Sequence, residues 1–209
     1  MSLKPLSAAA GAALTRGHSV DVVNRETHDF YPTWPGATRA LLGVEQFDGA
    51  IWEPACGDGA MSRELEVAGY VVVSTDLIDR GFGMGGRDFL NEWQALAPNI
   101  VTNPPFRWAR EFVDRALMLT APARAGNIAR GKVALFLRLA FLEGQERGAW
   151  FPNTPLARVW VMSRRVPMAR GKLAGVESIG GGVLAFAWFV WEHGYVGPPT
   201  LGWLDWKAA

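Results

Sequence analysis

Six short apolar runs, none longer than nine residues, set the strongest limit on how this chain can fold. They are Ala50–Trp52, Tyr70–Thr75, Asn99–Thr102, Val133–Leu139, Arg158–Met162 and Val183–Trp191. Continuous apolar runs of this length suit strands covered on both faces. Two helical patterns lie between them. Met61–Ala68 puts Met61, Leu65 and Ala68 at helical spacing and stops at Gly69; Ala109–Leu119 gathers Ala109, Phe112, Val113, Ala116 and Leu117 on one face. Strand alternating with helix predicts an α/β fold, a mostly parallel sheet with helices on both faces. No clear helix joins the last two runs, which predicts an antiparallel C-terminal hairpin at the sheet edge.

Composition narrows the class. A chain of 209 residues favours one domain, and 49% hydrophobic residues are enough for a core. The lone Cys56 excludes a disulfide framework or a cysteine-based zinc site, and His18, His28 and His193 lie too far apart for ligand spacing, so no metal is expected. No run approaches the roughly 20 apolar residues that span a bilayer. The alanine-rich start lacks the apolar core of a signal peptide, so residues 1–24 read as a flexible tail, and the expected location is the cytoplasm. The net charge of +1 is unevenly spread. Residues 124–172 hold ten basic and two acidic side chains, a local +8 against −7 elsewhere. This is either a basic face for a polyanion or an ordinary solvated surface.

The unusual residues follow strand ends, where open α/β sheets bind ligands. In "EPACGDG", Gly57 and Gly59 allow a tight turn and close backbone approach near a helix start, although G-x-G alone is also a common turn. Asp76, about 20 residues downstream at a strand end, is placed to hold ribose hydroxyls. Asp88-Phe89 offers an acceptor beside an aromatic ring, or simply a loop with an anchor. The sharpest stretch is Asn103-Pro104-Pro105-Phe106. Prolines end a strand, but a terminator needs neither the amide nor the ring. A planar NH2 group whose lone pair is delocalised needs acceptors on its hydrogens. The Asn103 amide oxygen and the Pro104 carbonyl could supply them, with the prolines fixing the backbone and Phe106 stacking on the ring.

Taken in order, these motifs resemble the S-adenosylmethionine-dependent amino-methyltransferases of DNA. The likeness is strongest to the small adenine-N6 enzymes of phages and prophages in the gamma-type motif order, and it covers roughly residues 29–193. "DFYPTWPGATRALL" is similar to the family's N-terminal cofactor segment, "EPACGDG" to its glycine loop, "TDL" and "RDFL" to its ribose and adenine contacts, and "NPPF" to its catalytic tetrapeptide.

The resemblance implies a Rossmann-like class I methyltransferase domain over residues 25–209, with a seven-stranded sheet. It implies S-adenosyl-L-methionine as cofactor and no metal. Thr33 and the backbone around Ala55, Gly57 and Gly59 would contact the methionine part, Asp76 the ribose, and Leu77, Asp88 and Phe89 the adenine, with Tyr31, Glu53 and Cys56 also in the cofactor site. Asn103 would border the cofactor and, with Pro104, Pro105 and Phe106, hold a flipped target base. DNA would be the partner, held by Arg107, Arg138, Arg147, Arg164, Arg165, Arg170 and Lys172. Residues 163–182 would be a minimal target-recognition loop, and a partner protein could supply further specificity. Two departures stand out: Trp34 interrupts the family's Tyr-Pro-Thr-Pro, and the recognition region is short. Other readings of Asn-Pro-Pro-aromatic are methylation of ribosomal RNA guanine N2 or of a protein glutamine, and an inactive cofactor- or DNA-binding module.

Overall fold

The computed structural model describes residues 30–122, 131–167 and 184–209. The expected tail 1–24, Arg170, Lys172 and most of the 163–182 loop lie outside them. The described elements are α1 (Pro35–Leu42), β1 (Ile51–Glu53), α2 (Ala60–Val67), β2 (Val72–Ser74), β3 (Asn99–Thr102), α3 (Ala109–Leu119), β4 (Lys132–Arg138), α4 (Gln145–Trp150), β5 (Leu156–Met162), β6 (Phe186–Glu192) and β7 (Thr200–Leu204). The sheet order is β2-β1-β3-β4-β6-β5-β7. All pairings are parallel except those of β6, which runs antiparallel between β4 and β5.

The mostly parallel α/β sheet and the antiparallel pairing of the last two expected strands are therefore present. A seventh strand, β7, lies outside them and forms the edge. It packs on β5 because Gly202 leaves room for the Trp160 ring, with which a Cβ there would collide.

Strand alternation sorts the core into two layers. On one face Trp52, Ile100, Leu135 and Phe189 pack against α3 through Phe112, Val113 and Ala116. On the other, Ile51, Val101, Phe136 and Trp188 pack against α1 and α2 through Ala37, Leu41, Met61 and Leu65. Four indole N–H groups find acceptors, as amphipathic rings must when buried: Trp52 donates to Thr75 Oγ1, Trp160 to Glu45 Oε1, Trp188 to the Ala37 carbonyl and Trp191 to Thr154 Oγ1.

At the end of the sheet away from the strands' carboxyl rim, Glu45 is only 3% exposed. It accepts from Lys132 Nζ at 3.0 Å, from Trp160 Nε1 at 2.9 Å and from both Nε and Nη2 of Arg158. Arg158 also donates to Glu192 at 2.8 Å. Burial alone would push the Glu45 carboxyl up, but these donors outweigh it and hold it below the ordinary glutamate value. Part of the basic run of residues 124–172 is thus consumed inside the fold: Lys132 and Arg158 neutralise Glu45 and Glu192 rather than facing a polyanion.

Candidate active site

From β1 the chain crosses to β2 on one side, then returns to β3 on the other, so strand order reverses beside β1. A cleft of about 240 Å³ opens there, beyond the carboxyl ends of β1, β2 and β3.

The turn after β1 shapes its floor. Gly57 and Gly59 have φ of +57° and +82°, in the left-handed region. A Cβ on Gly57 would enter the Phe30 ring, and one on Gly59 would come within 2.5 Å of Phe82. Asp76, at the end of β2, ties the turn down. Its Oδ2 accepts from Gly57 N–H at 2.8 Å and its Oδ1 from Ile78 N–H at 2.8 Å. A carboxylate has about four lone-pair sites, so two are left for a ligand's hydroxyls.

Glu53 lies beneath, 2% exposed. The Ser62 hydroxyl bonds to its Oε2 and lies 2.6 Å from Ser74 Oγ. Burial pushes the Glu53 carboxyl well above its ordinary range; the Ser62 bonds offset this in part, while the charges of Asp76 and Asp58 add to it. The folded protein therefore holds this proton more tightly than the unfolded chain. The associated stability is complete below the ordinary glutamate value and is lost as pH rises toward the raised folded value. Glu53→Gln keeps an acceptor for Ser62 and does not titrate. Its thermal midpoint should exceed that of the wild type at about pH 8 and converge with it toward about pH 4, read by denaturation across that range. A gap independent of pH would contradict the assignment. Burial, with the charges of Glu53 and Asp76, pushes the Cys56 thiol up to about 12, which disfavours the thiolate form.

The far wall comes from the turn after β3. Asn103 Nδ2 donates to the Tyr31 carbonyl at 3.0 Å, which leaves Asn103 Oδ1 buried with no hydrogen-bond partner. Phe106 opens a 3-10 turn leading into α3. Its ring is stacked with Tyr31 (centroids 5.9 Å, interplanar angle 14°), lies 5.7 Å from Phe186, and carries the Arg138 guanidinium 4.6 Å from its centroid.

Of the expected cofactor residues, Tyr31, Thr33, Glu53, Ala55, Cys56, Gly57, Asp76, Leu77, Asp88, Phe89 and Asn103 all line the cleft; Gly59 sits behind it as the N-cap of α2. Trp34 packs edge-on against Trp206 at 5.8 Å, and Thr33 stays buried in the wall. Asp88 caps a 3-10 turn, accepting from Leu90 N–H and Asn91 Nδ2, while Phe89 joins the core between Trp52 and Phe112. Among the expected catalytic residues Asn103 and Pro105 line the cleft, Pro104 is buried beside it, and Phe106 is not among the lining residues but packs against the core with Phe186 and Arg138.

The basic residues divide. Arg107 lines the cleft with its guanidinium over Trp108. Arg164 and Arg165 are exposed at the carboxyl end of β5, Arg164 paired with Asp205 at 2.7 Å. Arg147 staples its own turn, donating to the Glu143 carbonyl and lying over Phe141. The sequence reading missed Phe82 and Arg80, which carry the glycine-rich 79–86 loop back over the site. Arg80 lies over Phe30 at 4.3 Å and 3.8 Å from Asp76 Oδ1. An aromatic and a cation set among the four glycines of "DRGFGMGG" were the available signal. Among the described residues no cluster of three His, Cys, Asp or Glu side chains could hold a metal ion. No helix among them is long and apolar enough to cross a membrane.

No protein-family model matches the chain, and comparison with curated proteins finds no match. Solved structures do match. A protein from Listeria monocytogenes, provisionally described as a class I S-adenosylmethionine-dependent methyltransferase, superposes with a TM-score of 0.52 at 13% identity, over 81% of this chain and 62% of its own. The chain thus spans about six tenths of that protein's length. A structure concerned with converting a disulfide bond into a thioacetal group during echinomycin biosynthesis superposes with a TM-score of 0.50 at 14% identity, over 86% of this chain and 88% of its own. With the sheet order, the antiparallel β6 and the cleft at the strand reversal, these likenesses establish that the chain has the Rossmann-like fold of class I methyltransferases.

Proposed function

We propose that the protein methylates the exocyclic N6 amine of adenine in DNA, with the base flipped into the cleft and S-adenosylmethionine as methyl donor. One observation carries the reading: a buried amide oxygen, Asn103 Oδ1, has no partner, while the same side chain's nitrogen is held by Tyr31. A buried acceptor left unpaired is costly and calls for a donor from a ligand. An aromatic amine supplies that donor.

The residues of the cleft fit the cofactor. Gly57 bares backbone where a side chain could not fit, and Asp76 retains acceptor capacity for ribose hydroxyls. When bound, the cofactor supplies a methyl group on a sulfonium, already activated for transfer. Asn103 Oδ1 and the Pro104 carbonyl would accept the two amine hydrogens, turning the nitrogen lone pair out of the ring and toward the cofactor side of the cleft. The prolines keep that carbonyl from swinging. Phe106, packed with Tyr31 and Phe186 and covered by the Arg138 guanidinium, would brace the acceptor side of the cleft from behind Asn103 and Pro105. The base must leave the duplex first, at a cost of a few kcal/mol. Arg107, Arg164 and Arg165, on the same rim, would hold phosphates meanwhile.

Expression in cells that lack adenine methylation, followed by nucleoside mass spectrometry of their DNA, tests this reading. N6-methyladenine is expected with the wild type and strongly reduced with Asn103→Ala. Unmodified adenine in both would refute it.

A further inference from the structure

The motif resemblance assigns Tyr31 to the cofactor, but its contacts lead elsewhere. Its carbonyl receives the Asn103 amide at 3.0 Å, and its ring lies parallel to Phe106. Asn103 is the side chain that would meet a methyl acceptor, and Phe106 packs next to it in the same turn. An amide has two ends of similar size, and only a partner for the nitrogen decides which end faces the cleft. With Nδ2 committed to Tyr31, Oδ1 is the end left buried and free. Had the amide turned over, its NH2 would point at the substrate amine, donor against donor. The parallel ring likewise limits how far Phe106 can swing, since it is only half-buried and starts a short 3-10 turn. Phe30, the next residue, sits against Gly57 on the cofactor turn. The strap Phe30–Thr33 therefore joins the two halves of the cleft, and Tyr31 is its acceptor-side end.

We propose that Tyr31 is a positioning residue for the methyl acceptor. Its ring, stacked on Phe106, anchors the strap, and the strap's main-chain carbonyl so held fixes which end of the Asn103 amide faces the substrate. The assignment rests on the reading of Asn103 as the amine's acceptor. Its prediction is a separation of binding from turnover. Tyr31→Ala should lower kcat about 100-fold, the cost of misplacing a reacting group by about 1 Å, while the dissociation constant for S-adenosylmethionine changes by less than about threefold. Tyr31→Phe keeps the stack and should recover most of the lost kcat.

The decisive experiment compares wild type, Tyr31→Ala and Tyr31→Phe by calorimetric titration with S-adenosylmethionine and by NMR of the Asn103 side-chain amide, identified as the signal lost in Asn103→Asp. In the wild type and Tyr31→Phe the amide protons should exchange slowly; in Tyr31→Ala they should exchange at least about tenfold faster as the strap loosens. Unchanged exchange in Tyr31→Ala, or a loss of cofactor affinity of about tenfold or more with normal exchange, would overturn the assignment and return Tyr31 to the cofactor side. Both measurements need no acceptor, so they judge Tyr31 even if DNA proves not to be the substrate. Failure of the DNA reading would show separately, as absence of N6-methyladenine with the wild type.

Discussion

Replacing Asn103 by alanine is expected to lower the rate of methyl transfer by about a hundred- to a thousandfold while leaving affinity for S-adenosylmethionine within about threefold. The proposed cofactor wall includes Thr33, Gly57, Asp76 and Phe89, which line the cleft and which alanine at 103 leaves in place. What it removes is the free Oδ1, the group proposed to draw on an amine hydrogen as the nitrogen develops positive charge. The interaction grows along the reaction, so its loss appears in kcat more than in binding. Single-turnover rates with calorimetric binding on the same preparations give both quantities. Near-normal turnover would remove Asn103 from the chemistry.

The largest expected effect on stability lies at the other end of the sheet. Glu45→Ala leaves Lys132 and Arg158 beside an emptied pocket and strips the Trp160 indole of its acceptor. Removing one member of a buried ionic cluster costs about 3 kcal/mol or more, which for a domain of this size lowers the thermal midpoint by about 6–12 °C. The sign of the pH dependence follows from the lowered Glu45 value. Its contribution is complete above the ordinary glutamate range and is lost as pH falls through the folded value. The stability difference between wild type and variant should therefore shrink on acidification, in urea titrations at falling pH. A difference that persists at low pH would show that packing, not charge, holds that corner.

The sequence reveals the sheet's centre more readily than its edges, for physical reasons. β3 and α3 occupy the residues that pattern alone indicates, because Asn99–Thr102 is buried on both faces and Ala109–Leu119 keeps a strict apolar stripe. β7 has no such signature. Leu201 and Trp203 are exposed, and Gly202 makes sense as a strand residue only once Trp160 lies over it. Glu45 reads as an ordinary loop acid, since its partners are 87 and 113 residues away. In the cleft the opposite holds. Residues with chemistry of their own, such as Asp76 and Asn103, stand out from spacing and strand ends, whereas Phe30, Arg80 and Phe82 act through contact and become visible only in three dimensions. The basic run of residues 124–172 shows the limit of counting charge: Arg158 within it is a part-buried ion-pair partner, and Arg138 lies over the Phe106 ring.

The identity of the methyl acceptor decides the proposed function. The purified protein incubated with methyl-labelled S-adenosylmethionine and a mixture of unmethylated DNA, ribosomal RNA and protein, followed by digestion and separation of each fraction, identifies the acceptor directly. Label in N6-methyladenine from the DNA is the predicted result; label confined to guanine in the RNA or to glutamine in protein would contradict it.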